Sequence, residues 1–202
     1  MPPKFLWNTD PQKLVEQIRG NDLYIVAAQN GLYDIRVNEI GTFIARVQRP
    51  IMHLQPVFEG VVLSLPRVPF DVLKQAVHFL KNYALEHVAE ARYQIFWNRE
   101  QKKYYGHVPQ FKSTISSIET VRSYELEQKD LLVVDLHSHL TATAIFSEVD
   151  DKNEMESGRF YGVVAVLNHW PDIDVRFSCG GNYVHVSPWV IFENPFEKGV
   201  FE

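Results

Sequence analysis

The chain has 202 residues, 46% of them hydrophobic and 13% aromatic, with a formal net charge of −5. That length suits one domain of ordinary size or a domain with a small appendage, and the composition supplies a sizeable core, which excludes global disorder. Acidic and basic residues are interspersed with no basic stripe for a phosphate backbone, so no nucleic-acid partner is expected.

The N-terminus, Met1-Pro2-Pro3-Lys4-Phe5, lacks an apolar stretch of signal-peptide type, and no run approaches the length of a bilayer span. The single cysteine, Cys179, excludes an intrachain disulfide framework and suits a reducing compartment. A cytoplasmic protein with no membrane partner is expected. Cys179 lies in an alternating strand pattern and reads as a small buried residue.

In chain order, a short helical pattern runs from Pro11 to Arg19, followed by a mostly β region. Leu23 to Ala28 and Leu32 to Val37 are strands joined by an Asn30-Gly31 turn. Gly41 marks a turn before a strand from Thr42 to Val47, and Val61 to Leu65 is a further strand. His53 and Glu59 are isolated and carry no recognisable chemistry. Leu65-Pro66-Arg67-Val68-Pro69 reads as a hinge. Phe70, Leu73, Val77, Leu80 and Ala84 then repeat at helical spacing, predicting a helix from about residue 71 to 88 with Asp71 as its N-cap. His78 and His87 lie on it nine residues apart, which is not the spacing of a helical metal pair. Strands are expected at Tyr93 to Trp97, Tyr104 to Phe111 and Thr114 to Val121, with Lys102-Lys103 in a solvated turn and a polar connection reaching Asp130. The apolar run from Leu131 opens a buried strand to His137. Tyr161 to Leu167 is another, and Asp174 to Ser178 and Tyr183 to Val186 flank a Gly180-Gly181-Asn182 hairpin turn. The residues after Ile191 read as a tail. The pattern implies an α+β protein: a mixed sheet with packed helices over residues 69–202, preceded by a small β-rich domain over residues 1–68.

The chemistry sits in Asp135 to Asp150, D-L-H-S-H-L-T-A-T-A-I-F-S-E-V-D. His137 and His139 stand two residues apart at a strand end and therefore point to the same side. Two neutral imidazoles and the Asp150 carboxylate make a three-ligand set for catalytic zinc, with a fourth position open for water. Histidine pairs of this kind also occur without metal, but the segment as a whole has the form H-S-H-x7-S-x-x-D.

That pattern, after an apolar strand, resembles the signature of the JAMM (JAB/MPN) metalloprotease family at every specified position. The likeness covers roughly residues 70–190, about one domain. Within the family the chain is similar to the bacterial, often plasmid-encoded, PRTRC system A group, in the H-S-H-L-T-A-T-A-x-F-S region, the late Gly-Gly turn and a β-rich N-terminal extension. The resemblance implies a JAB/MPN-like mixed sheet and a Zn2+-dependent peptidase or isopeptidase. It further implies a ubiquitin-like protein or its conjugates as substrate, and a ThiF-like activating enzyme as a further partner. A zinc amidase acting on a small molecule, and a non-catalytic JAMM-like scaffold, are the other readings.

A hydrolase of this type needs a carboxylate to move protons. In the JAMM family it is a glutamate upstream, near the end of the first helix. Glu86 and Glu90 are the candidates, and Glu90, three residues before the Tyr93 strand, is preferred. Arg92-Tyr93 stand where the family carries glycine and small residues. Ser147 is the family's oxyanion-stabilising residue, and equally an N-cap for a following helix. Asp135 is either a partner that orients a histidine or a simple strand-edge charge. The uncharged stretch 140–146, with small Ala142 and Ala144, is expected near a groove for an extended peptide.

Overall fold

The computed structural model describes residues 4–18, 23–47, 57–121, 124–154, 158–167 and 171–195. The protein is α+β with mixed sheets. It divides into two compact units: Met1–Pro66 with Met155–Gly158 and Phe177–His185, and Arg67–Glu154 with Arg159–Arg176 and Val186–Glu202. The first unit is therefore not contiguous in sequence.

In the first unit, β1 (Lys4–Trp7), β2 (Leu23–Ala28), β3 (Gly31–Val37), β4 (Gly41–Arg46) and β5 (Gly60–Leu63) form a sheet in that spatial order. β1 runs parallel to β2 and the remaining pairs are antiparallel. β1 was not expected from the sequence: its side chains are largely exposed, so no burial pattern announces it, and its pairing with β2 defines it. Helix α1 (Pro11–Gln17) starts at Asp10, whose carboxylate accepts from the Gln12 amide at 3.0 Å; Arg19 lies outside the described residues. His53 does too, and Glu59 accepts a bond from the Arg46 amide. Pairing of Ala28 with Gly31 makes the hairpin loop Gln29-Asn30, one residue earlier than expected. Gly31 opens the return strand at φ 142°, which a Cβ would oppose. Leu14, Tyr24, Val26, Tyr33 and Ile35 build this unit's core.

The second unit begins where a hinge was expected, but Val68 is fully buried. It pairs with Phe192, its amide donating to Ile191 O at 2.8 Å while its carbonyl accepts from Glu193 N at 2.9 Å. The chain after Ile191 is thus not a free tail at Phe192. Helix α2 (Phe70–His87) buries Leu73, Ala76, Leu80 and Ala84. Asp71 is not its N-cap: Pro69 is, with no side-chain cap bond, and Asp71 lies in the first turn paired with Lys74 at 2.6 Å. Proline at the cap leaves the carboxylate to face the positive helix end instead. α2 packs on β6 (Arg92–Asn98), β7 (Lys103–His107) and β10 (Leu131–His139).

The expected strands 104–111 and 114–121 resolve differently. β7 stops at His107, and β8 (Phe111–Ser113) and β9 (Ile118–Thr120) form a separate small hairpin. A turn closed by Thr114 and Ser117 breaks the run, with Thr114 N donating to Ser117 O at 2.8 Å. The polar connection contains helix α3 (Tyr124–Lys129). The remaining elements of the described residues are α4 (Glu148–Asn153), β11 (Phe160–Ala165), β12 (Asp172–Cys179), β13 (Asn182–Val186) and α5 (Pro188–Ile191). The main sheet has the order β13-β12-β11-β10-β6-β7, and β10 lies between parallel β11 and antiparallel β6. Gly180 and Gly181, both at positive φ, make the tight turn between β12 and β13. Cys179 is fully buried, and burial with the Asp34 carboxylate pushes its thiol up to about 12, leaving it unreactive.

Candidate metal centre

β10 is buried from Leu132 to Ser138 because packing covers both its faces, so its run from Leu131 to Val134 is continuously apolar and not alternating. His137 and His139 lie on one face with their Nε2 atoms 3.1 Å apart. Ser138 lies between them and ties the strand end to the chain before β6: its amide donates to Ala91 O at 2.9 Å and its hydroxyl accepts from Ala91 N at 2.8 Å. Ala91 follows Glu90, whose own amide donates to Thr114 O at 2.9 Å. Glu90 is therefore held by backbone on both sides. Upstream, α2 ends at Val88 in the left-handed region, φ 50°, ψ 44°, a strained conformation for a β-branched residue that turns the chain into the site. Glu86 stays on the exposed face of α2, whereas Glu90 is buried at 6% exposure, with Oε1 3.8 Å from His139 Nε2.

Asp150 arrives from α4. Ser147 caps that helix, accepting from the Asp150 amide at 3.3 Å. In return Asp150 Oδ2 accepts from Ser147 N at 2.6 Å and from Ser147 Oγ at 2.7 Å, a complete capping box. This occupies Oδ2 and leaves Oδ1 facing His137 Nε2 at 3.2 Å. His139 Nε2 lies 3.6 Å from Oδ2. The hydroxyl proton of Ser147 is committed to Asp150 here.

His137, His139 and Asp150 form a group that could hold a metal ion. The three ligand atoms lie within 4.8 Å of one another, and two of their separations match zinc closely. Around a tetrahedral zinc with ligand bonds of about 2.0–2.1 Å, neighbouring donors stand roughly 3.3 Å apart, and the His137–His139 and His137–Asp150 separations are 3.1 and 3.2 Å. Burial and neighbouring charges shift the protonation of these groups in different directions. Burial, and then the charge of His137, hold His139 below the ordinary imidazole value, against opposing pulls from Asp150 and Ile145 O. Burial pushes the Asp150 carboxyl up, but the hydrogen bond and charge of His137 and the Ser147 bonds outweigh it and hold it well below the usual carboxylate range. Glu90 goes the other way: burial first, then the Asp150 charge, raise it to about 7 against the pull of Arg92. Two carboxylates with values pushed apart suit two roles, ligand and proton carrier.

Glu90, His139, Ser147 and Asp150 line one cleft of about 180 Å³, with Ile115, Ser116, Ser117 and Ile118 of the β8–β9 hairpin and Val149. The other sequence-derived candidates behave differently. Asp135 does not reach a histidine through any bond: it lies 3.5 Å from Arg92 Nε and accepts from Gln94 Nε2 at 3.4 Å. Ala144 is not open to a passing peptide. It is buried against Val163 and Ala165, and its amide donates to Asp172 Oδ2 at 3.0 Å.

Sequence reasoning missed Ser138 as an anchor, and it missed Glu154 and Arg176. Glu154 Oε1 lies 3.7 Å from His137 Nδ1, and Oε2 accepts from Arg176 Nε and Nη2 at 3.0 and 2.7 Å. Burial pushes the Glu154 carboxyl up, opposed by the bonds and charge of Arg176. Its i, i+4 spacing from Asp150 on a short helix was the one available signal.

No protein-family model and no curated protein matches the chain. Among solved structures, the solution structure of a protein from Salinibacter ruber is similar at 14% identity and a TM-score of 0.44, covering 64% of this chain and 93% of that one. A likeness at that score carries neither fold nor function across, and the chemistry of the site rests on its own residues. Among the described residues no helix is long and apolar enough to cross a membrane.

Proposed function

We propose that residues 69–202 are a JAB/MPN-like domain and that the protein is a zinc-dependent hydrolase of the JAMM type, similar to the PRTRC system A group. It acts in the cytoplasm on a peptide or isopeptide bond after the C-terminal tail of a ubiquitin-like protein. A ThiF-like activating enzyme belongs to the same reading as a further partner. The observation that carries it is the convergence of Glu90, His137, His139 and Asp150 from three separate stretches of chain, with Glu90, His139 and Asp150 lining one cleft.

His137 and His139 through Nε2, and Asp150 through Oδ1, are the atoms that would hold the ion. Zinc, when bound, supplies Lewis acidity that polarises a carbonyl and acidifies water. Glu90 Oε1 accepts a proton from the attacking water and passes it to the leaving amine, a task suited to a carboxyl poised near 7. Residues 115–118 of the β8–β9 hairpin line the cleft beside Glu90. Ser147 Oγ serves the developing oxyanion after turning its proton away from Asp150 Oδ2.

The test begins with elemental analysis of protein purified without chelators. One zinc per chain is expected, lost in His137→Ala and in His139→Ala. Undiminished zinc in both variants refutes the ligand set. The zinc form is then given a ubiquitin-like protein fused through its tail to a reporter. Chelator-sensitive cleavage is the expected result. Hydrolysis of a small amide with no fusion cleaved assigns the site to a small-molecule amidase, and a zinc-free wild type assigns it to a scaffold.

A further inference from the structure

Glu154 belongs to no part of the H-S-H-x7-S-x-x-D pattern, yet it is among the most buried charged side chains, at 1% exposure. Its Oε2 accepts both arms of the Arg176 fork, at 3.0 and 2.7 Å. Its Oε1 makes no hydrogen bond and faces His137 Nδ1 at 3.7 Å, which is likewise buried without a bond. Two complementary buried atoms left open at this distance are an unstable arrangement unless a proton joins them. A neutral imidazole that offers Nε2 to a metal carries its proton on Nδ1. That proton points at Glu154 Oε1, and a small closure completes the bond.

Arg176 does more than hold Glu154. Its Nη1 donates to Asp151 Oδ1 at 2.6 Å, so one guanidinium grips α4 at Asp151 and its C-cap at Glu154, both just after Asp150. The guanidinium carbon stacks 3.8 Å over the Phe146 ring, which fixes the plane of the fork.

We infer that Glu154 and Arg176 are positioning residues of the metal centre: Glu154 selects the His137 tautomer that presents Nε2, and Arg176 fixes both Glu154 and the helix that carries Asp150. The inference rests on His137, His139 and Asp150 being metal ligands, and is independent of which bond the protein cleaves.

The experiment measures Zn2+ affinity of the full chain by competition with a chromophoric chelator, together with nitrogen NMR of the His137 ring. Glu154→Ala is expected to weaken zinc about 10–100-fold, the range for lost partners of ligating histidines. Glu154→Gln loses less, because its single amide oxygen still accepts from one of the two donors, His137 or Arg176, where alanine accepts from neither. Arg176→Lys weakens zinc as well, since lysine cannot hold two carboxylates in a fork. Exposed Glu148→Gln leaves affinity unchanged. In the zinc-loaded wild type, the His137 proton resides on Nδ1, and its signal shifts in Glu154→Gln. A folded Glu154→Ala with wild-type affinity overturns the inference. Should Glu154→Ala not fold, an identical Nδ1 signal in wild type and Glu154→Gln overturns it instead. A wild type that binds no zinc overturns the metal reading itself, whereas tight zinc binding indifferent to Glu154 overturns only this inference.

Discussion

Replacing Glu90 by glutamine isolates the cost of keeping an ionisable carboxyl in a buried site. The amide preserves shape and removes the charge. Glu90 is 6% exposed and its carboxyl is raised from 4.5 to about 7 by burial and by Asp150. The folded state thus holds this proton more tightly than the unfolded chain does. The contribution is fully present below pH 4.5 and is lost as pH rises towards 7. At about 1.4 kcal/mol per unit, ionised Glu90 costs the metal-free protein up to about 3 kcal/mol at pH 8. Glu90→Gln should recover most of that at pH 8 and almost none at pH 4. Urea unfolding of chelator-treated wild type and variant at pH 4, 6 and 8 measures the difference. A variant less stable than wild type at pH 8, or a difference independent of pH, refutes the reasoning. With zinc restored, the same variant should keep its metal and lose turnover, the usual opposition between a strained active site and stability.

Three further outcomes follow from the geometry. Ser147→Ala should keep zinc, lose about 1 kcal/mol of stability with its capping bonds, and slow hydrolysis about a hundredfold or more, read by thermal melts and steady-state kinetics; an unchanged rate leaves Ser147 only its cap. Ala144→Trp should destabilise the fold by about 1–3 kcal/mol through overpacking against Val163 and Ala165, so its loss of activity should track the unfolded fraction in circular dichroism. Zinc affinity should fall as pH drops, because protons compete for the histidines; with His139 held below the ordinary imidazole value, its share of that loss should begin at lower pH than for a free imidazole, as chelator competition across pH 5–8 would reveal.

Local sequence determined the parts that depend on short-range periodicity. The apolar run before His137 reads as a strand buried on both faces, and two histidines two residues apart in a strand must share a face. The helical spacing of Leu73, Leu80 and Ala84 likewise set α2. The preference for Glu90 over Glu86 came from the family pattern, and the difference in burial between them exists only in the folded chain. Asp71 failed as a cap because the chain enters α2 through Pro69, and Ala144 failed as a groove residue because its neighbours on β11 lie about twenty residues downstream. Glu154 and Arg176 were out of reach for the same reason. They are 22 residues apart, on α4's C-cap and on β12, and no local pattern pairs them. The sequence by itself determined which side chains could hold a metal ion. Only tertiary structure decided which of the remaining charges would be buried beside them, because desolvation and hydrogen bonding depend on what packs around a group and not on its position along the chain.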